Sequence, residues 1–339
     1  MIRLTLTMFA AGFVTASASA HHSRAPYDMT KEVVFTGTVT KLDWNNPHIL
    51  LTLETRGPDG AVVAQEIEAS AVSQMRLLGL KREALEPGTE VVVRAWPGRR
   101  GAGARALGID VRTNEGAVHP LNIDSAVSIA ASVPAQTLAG QWVPTAESSI
   151  RAFRSFPEPM LLTEAGRAAR EQNMARLQTP GVAGAGICEP FPSLGLSIGP
   201  DLRTIEISDD TVVMNFETEG INQQRIVRLN QRAHRADATP SLLGDSIGRW
   251  EGDTLVIDTV ALTAHPLGLF QLPSTPSTHL VERLSLTADR RQLEYRFTVE
   301  DPVYLTGPAS YTVRWDHRPD VAPSSDAPCD PDNARRALE

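Results

Sequence analysis

The sequence predicts a mainly β chain built as two barrels in tandem, a small one followed by a larger antiparallel one. Three observations lead there. Short runs of β-branched and aliphatic residues recur along most of the chain, separated by turn residues such as Pro58-Asp59-Gly60 and Ser208-Asp209-Asp210. The stretch from Gly244 to Thr259 reads as a tight hairpin turning at Glu251-Gly252-Asp253, where Gly252 supplies a positive φ. No helices separate the later strands, which removes a βαβ architecture. A length of 339 residues favours two domains over one, and 42% hydrophobic with 21% charged residues describes a globular chain rather than a disordered or membrane one.

Residues 1–20 read as an export signal. Arg3 gives a short positive start, Leu4 to Val14 an apolar stretch too short to span a bilayer stably, and Ala18-Ser19-Ala20 a small-x-small cleavage site. An exported protein is expected, periplasmic or secreted, with His21 as its mature first residue. A retained N-terminal anchor is the alternative, and the cleavage residues argue against it. No later apolar run has transmembrane length, so no transmembrane segment is expected after signal cleavage. A net charge of -8 without a basic stripe argues against a nucleic-acid partner. Arg99-Arg100 and Arg290-Arg291 are isolated pairs, read as solvated turn residues.

Cys188 and Cys329 are the cysteines of the exported chain, and an oxidising compartment makes a disulfide their default pairing. Closing so long a loop is worth roughly 4 kcal/mol on the chain-entropy account, less any strain. A metal or redox pair is the rival, disfavoured because the C-x-x-C spacing is absent.

Residues 32–113 read as a small closed β-structure. Val33 to Leu42 is a long strand with Gly37 where it can bend; Ile49 to Thr55 places Ile49, Leu51 and Leu53 on one face; Val62 to Ala69 returns. Ser70 is the expected cap of a short helix carrying Ala71, Met75 and Leu78, stopped by Gly79. Val91-Val92-Val93 and Ala106 to Val111 complete the set. Three strands, a helix and two strands is the order of an OB-like barrel.

Residues 114–138, with Gly116, Pro120, Pro134 and a run of Ala and Ser, read as a linker. The second domain spans 139–330, followed by a tail, 331–339. A helix opens at Leu162-Thr163-Glu164, with Thr163 as N-cap, and fades before Pro180; Gly181 to Pro200 is rich in Gly and Pro. Strands are expected at 202–207, 211–217, 223–229, 247–250, 253–260, 278–287, 292–300 and 309–316. This is an up-and-down, lipocalin-like barrel able to hold a cavity.

Three places carry chemistry. Cleavage after Ala20 frees an α-amine on His21, and that amine with the Nδ1 of the same ring can chelate one ion; a further imidazole completes a T-shaped set of nitrogens suited to copper. His22 and His48 are the candidates for it, His48 lying in the turn Asn45-Asn46-Pro47-His48. His22 also allows a rival mode through the amide. A frayed, solvated terminus is the plain alternative.

In the larger barrel, period two places Glu282 on the face of Leu280, Leu284 and Leu286, Arg225 on that of Val227 and Leu229, and Asp258 on that of Val256 and Val260. Charges among core positions need partners, so Arg225 is expected to pair with Glu282 or Asp258 inside the barrel. The pair either fixes the fold or lines a ligand site, with His234, His279 and Trp250 at its mouth; His279 lies on the face opposite Glu282. Finally, Gly244-Asp245-Ser246-Ile247-Gly248 spells G-x-S-x-G, but a hairpin follows where a nucleophile elbow needs a helix. A triad of Ser246 with His234 and Asp258 is therefore disfavoured.

Two resemblances rest on particular residues. His21-His22-Ser23, Tyr27-Asp28, Gly37-Thr38-Val39 and Asn46-Pro47-His48 resemble the exported domain DUF6152, a family of unknown function, over roughly the first third of the chain. Gly244, Ser246 to Val256, Asp258-Thr259, Glu282-Arg283, Asp301-Pro302 and Cys329 resemble a set of proteobacterial secreted β-domains of unknown function. In that set valine is usual at the position of Ile257, and a His-Pro step often follows the arginine strand. Here His234 precedes Arg235, which weakens a role for His234. Neither resemblance implies an activity.

The leading expectation is an exported two-domain binding protein with a copper-capable N-terminal histidine and a barrel cavity. The cavity would hold a small apolar ligand whose polar or anionic end meets Arg225. The alternatives are an envelope enzyme and a structural interaction module without ligand. The enzyme would be a hydrolase or isomerase using Glu282 or Asp258 as acid or base, or a copper oxidase.

Overall fold

Period-two alternation folds the first unit. The strands β1 (Val33–Asp43), β2 (Ile49–Arg56) and β3 (Val62–Ala69) precede helix α1 (Val72–Leu77), and β4 (Glu90–Trp96), β5 (Ala106–Thr113) and β6 (Val118–Pro120) follow it. These come from a computed structural model describing residues 26–123 except 58 and 102, 131–145, 147, 161–177, 188–199, 201–269, 272–323 and 327–333. The sheet order is β3-β2-β1-β4-β5-β6, and parallel pairing of β3 with β5 closes five strands into the expected OB-like barrel. Its core is made of Val39, Leu51, Leu53, Ile67, Val93 and Val111, with Met75 of α1 packed among them.

Gly37 is there for contact, not flexibility. A Cβ at that point would sit 2.2 Å from the carbonyl oxygen of Glu54, and the β1–β2 register slips just beyond it, between Val39 and Lys41. Ser70 does not cap α1: its Oγ accepts a bond from the Ile123 amide at 3.2 Å. Asn46 Oδ1 instead takes the Val72 amide at 3.0 Å. Part of the span read as linker is ordered sheet, because β6 pairs with β5 and the neighbouring Leu121 is fully buried against Gly108.

The second unit holds β7 (Gly140–Pro144), α2 (Glu164–Leu177), α3 (Ser193–Ile198), β8 (Arg203–Ile207), β9 (Thr211–Thr218), β10 (Ile221–Leu229), β11 (Asp245–Glu251) and β12 (Thr254–Val260). After these come β13 (His265–Leu269), β14 (Leu272–Ser274), β15 (His279–Leu286), β16 (Gln292–Glu300) and β17 (Ala309–His317). Nine of these strands close into a lipocalin-like barrel in the order β7-β8-β9-β10-β11-β12-β15-β16-β17 and back to β7, while β13 and β14 pair only with each other. All eight strands expected from the sequence are present. The ninth, β7, escaped notice because it is a five-residue run ending in a proline. Helix α2 starts as expected, with the Gly166 amide donating to Thr163 Oγ1 at 2.9 Å.

A closed ring with an odd number of strands cannot alternate direction throughout, so one pair must run parallel. That pair is β10–β11, with Val227 opposite Ser246. A parallel neighbour cannot be reached by a hairpin; residues 230–244 therefore return along the outside of the barrel before β11 begins.

The two units are stapled together. Cys188 and Cys329 form the expected disulfide. The segment around Cys329 lies on the turn at Asn46: Asp330 N donates to Asn46 O at 2.8 Å, Asn46 Nδ2 to Ala327 O at 2.6 Å, and Asn333 Nδ2 to His48 O. Buried Asp201, two residues before β8, accepts a bond from Ser73 Oγ of α1 at 2.9 Å.

Candidate functional site

The interior of the larger barrel carries a buried polar network. Period two points Arg225 of β10, Ser246 of β11, Thr259 of β12 and Glu282 of β15 inward. The register sets Ser246 opposite Thr259 and diagonal to Arg225. Arg225 Nη1 donates to Glu282 Oε1 at 2.7 Å, Nη2 to Glu282 Oε2 and to Thr259 Oγ1 at 2.6 Å, and Nε to Ser246 Oγ at 3.0 Å. Tyr295 of β16 donates to Glu282 Oε1 at 2.5 Å and lies 2.9 Å from Ser197 Oγ of α3. Burial lowers the Arg225 guanidinium, but the charge and bonds of Glu282 outweigh it and the net direction is up; Tyr295 is driven far up by burial and then by Glu282. Of the two partners weighed for Arg225, Glu282 is the one it takes. The guanidinium is spent on the barrel's own side chains, so it does not present the open cation expected for an anionic ligand.

The space expected for that ligand holds helix α3. Leu194, Leu196 and Ile198 join the cluster formed by Ile205, Phe216, Leu280 and Phe297 of the barrel wall. The sequence offers little sign of it, because six residues in a Gly- and Pro-rich stretch are too few to show a period. Its last turn is held by Arg203 of β8, a second buried arginine that the period-two reading passed over. Arg203 Nη2 donates to the carbonyls of Leu196 and of Gly199, the latter at 2.6 Å, and Nη1 to that of Asp201. The guanidinium lies over the Trp315 ring at 5.3 Å and the Phe216 ring at 6.0 Å. Burial lowers it to about 10. Burial, then the charge of Glu219, lifts the Asp201 carboxyl to about 7, opposed by Arg203 and Ser73. Beside α3 a cavity of about 10 Å³ remains, lined among others by Ser193, Leu194, Leu262, Leu269 and Leu280. That is room for about one water.

Asp258 faces the other way. It does share a face with Val256 and Val260, but inward positions on β12 are Leu255, Ile257 and Thr259, and Asp258 is on the outer wall. There it accepts bonds from two imidazoles, His234 Nε2 at 2.8 Å and His279 Nε2 at 3.1 Å. His234 Nδ1 lies 3.0 Å from Asp245, which also binds Arg228, and His279 Nδ1 lies 3.3 Å from Glu300. These groups form a ribbon that fastens the 230–244 crossover to the wall. Burial raises the Asp258 carboxyl, but the bonds from His234 and His279 outweigh it, so it lies below the ordinary range. Trp250 has inward parity but stands at a barrel end, 43% exposed. Ser246 is buried, bonded to Arg225 and Thr259 and followed by strand, so G-x-S-x-G forms no nucleophile elbow.

In the small barrel the Asn46-Pro47-His48 turn delivers His48 to a buried carboxylate. His48 Nδ1 is 3.1 Å from Glu68 Oε1; Tyr27 donates to Glu68 Oε2 at 2.5 Å, and Arg105 Nη1 stands 3.8 Å away. Burial alone would raise the Glu68 carboxyl, yet the bond and charge of His48, then Tyr27 and Arg105, bring it below its usual value. The chain at Tyr27 is pinned on both sides, by Asp28 N to Pro97 O at 2.8 Å and Arg99 N to Pro26 O at 2.7 Å. His21, His22 and the export signal lie outside the described residues. Among those described, no three His, Cys, Asp or Glu side chains are grouped to hold a metal ion.

With the geometry in hand, residues 10–107 match the model of a family of unknown function, DUF6152. No curated protein matches the chain. The solved structures that are similar in part include two barrels. A secretary abundant heat soluble protein from Ramazzottius varieornatus is 9% identical, with 55% of this chain and 98% of that one covered and a TM-score of 0.27. A single-substitution mutant of the fluorescent protein UnaG is 11% identical, with 53% and 95% covered and a TM-score of 0.24. At these values the strand order of the chain itself defines the barrel.

Proposed function

We propose that the chain is an exported two-domain binding protein whose N-terminal half takes a copper ion at the mature N-terminus. His21 would give its amine and ring, and His48 the remaining imidazole, with His22 the competing ligand. The supporting observation is the bond between His48 and buried Glu68. A carboxylate on one ring nitrogen fixes the tautomer and makes the other nitrogen the basic one, the arrangement common behind metal-bound histidines. Tyr27 is tied to the same carboxylate, and the six-residue step back to His21 reaches at most ~20 Å when extended. Copper titration of the mature protein tests this against a variant with one alanine added before His21. The expected result is tight binding by the first and at least ~100-fold weaker binding by the second. Equal binding overturns the proposal.

The larger barrel is read as the second binding module, for a small apolar ligand. Its packed lumen favours a second reading as well, an interaction module with no ligand, and the two part at α3. An envelope enzyme using Glu282 or Asp258 has no observation in its favour, since Glu282 is enclosed by Arg225 and Tyr295 and Asp258 belongs to the outer ribbon. No described helix is long and apolar enough to cross a membrane. The disulfide suits an oxidising, extracytoplasmic compartment.

A further inference from the structure

We propose that α3 is a built-in occupant of the barrel's binding site, and that an apolar monocarboxylate displaces it and places its head group on Arg203. This rests on reading the larger barrel as a binding module. Three observations carry it.

The first is that α3 sits in the lumen as a ligand would. It offers an apolar body, Leu194, Leu196 and Ile198, and a polar end of backbone carbonyls directed at a guanidinium. Six residues are too few for a helix to stand by its own hydrogen bonds, so α3 exists through its packing and is exchangeable for anything that packs better. The cavity beside Ser193 and Leu194 shows that the fit at this end is incomplete.

The second is an unfilled valence. Arg203 is 1% exposed, and its Nε has no hydrogen-bond partner; neither has Nε1 of Trp315, which is fully buried beneath it. Buried N–H groups are nearly always paired, so two open donors in one contact mark a place where an acceptor belongs. Neutral backbone carbonyls satisfy only the Nη atoms, those of Leu196 and Gly199 on Nη2 and that of Asp201 on Nη1. A carboxylate can take Nε and an Nη together, and charge-assisted bonds of this kind are about twice as strong as neutral ones.

The third is charge. Arg225 is matched by Glu282 at bonding distance. Arg203 has no carboxylate bonded to it: from Asp201 it takes the backbone carbonyl, while the Asp201 carboxylate is bonded to Ser73. The Asp201 carboxylate acts on Arg203 from nearby without a bond, and an arriving anion would supply a bonded counter-charge. A lumen of aliphatic and aromatic side chains selects an apolar tail for it.

Dodecanoate, with dodecanol as the uncharged control, tests the proposal on the intact oxidised protein by calorimetry. Dodecanoate should bind at least ~10-fold tighter than dodecanol. Leu196→Ala, which loosens the occupant, should tighten dodecanoate further. Arg203→Met should erase the difference, so that the variant binds dodecanoate no tighter than dodecanol. If that variant does not fold, Arg203→Lys serves, keeping the charge but losing the fork. Hydrogen exchange on the unmodified chain gives an independent readout, with dodecanoate expected to speed exchange in residues 193–199 and nowhere in the small barrel. Equal binding of the two probes, or exchange in α3 unaltered at saturation, overturns the role of Arg203 or of α3 while leaving a binding barrel. No binding of either probe, by the natural chain or by Leu196→Ala, overturns the binding barrel and favours the module without ligand.

Discussion

The two barrels fill their interiors by different means. Five strands enclose so little space that the strands' own aliphatic side chains, with Met75, close the small barrel, and its buried carboxylate, Glu68, is met by His48 and Tyr27. Nine strands enclose more than their side chains fill, and the larger barrel adds an inserted helix, a bidentate ion pair and a second arginine. Barrel width thus decides how much polar chemistry must be carried in the core. The wide barrel is the one whose stability depends on matched charges.

That contrast can be broken most sharply at Glu282. Glu282→Gln leaves Arg225 buried without its anion and should cost about 3–5 kcal/mol, read from urea unfolding. Adding Arg225→Met should restore a good part by removing the stranded charge. A loss no larger than that of an exposed pair would mean that the wide barrel does not lean on this bond.

A middle-sized effect is expected where the barrels meet. The Asp201 carboxyl, at about 7 in the folded chain, lies above its ordinary 3.8. The folded state therefore keeps a proton that the unfolded chain has released over that interval. This contribution is fully present below about pH 4 and is lost as pH rises through about 7, at up to ~1.4 kcal/mol per pH unit. Asp201→Asn should flatten the fall in unfolding midpoint between about pH 5 and 7. An unaltered slope would assign it to other groups.

The smallest effect belongs to the small barrel. Glu68→Gln keeps one acceptor for His48 or Tyr27, and Arg105 keeps its bond to Glu66, so ~1–2 kcal/mol is expected from thermal unfolding. A cost matching that of Glu282→Gln would erase the distinction between the two interiors.

The sequence shows the strands well because alternation survives in each: Leu280, Glu282 and Leu284 on β15 announce both an inward face and a charge that needs a partner. The same rule failed at Asp258, where the partners chosen to define the face, Val256 and Val260, line the outer wall. Val256 is fully buried although it points outward, so hydrophobicity did not mark the inside of that strand. Arg203 and α3 were hidden for another reason. Their relation is a long-range bond between a strand and a helix too short to show a period, and no local pattern encodes it. His48 was legible as a residue but not as a pair, because Glu68 looks like an ordinary strand carboxylate until the barrel closes.

The closure of the ring bears on how the protein is made. β7, the first strand of the larger barrel, finds one neighbour in β8 but the other only in β17, the last strand of the chain. Cys188 likewise waits for Cys329. Until its final segment is made, the growing chain holds an open sheet with two bare edges, a form prone to pairing with other chains. A stop codon or clipping site within the larger barrel, before β17, would leave that barrel open at β7 and β16 rather than yield a smaller closed one.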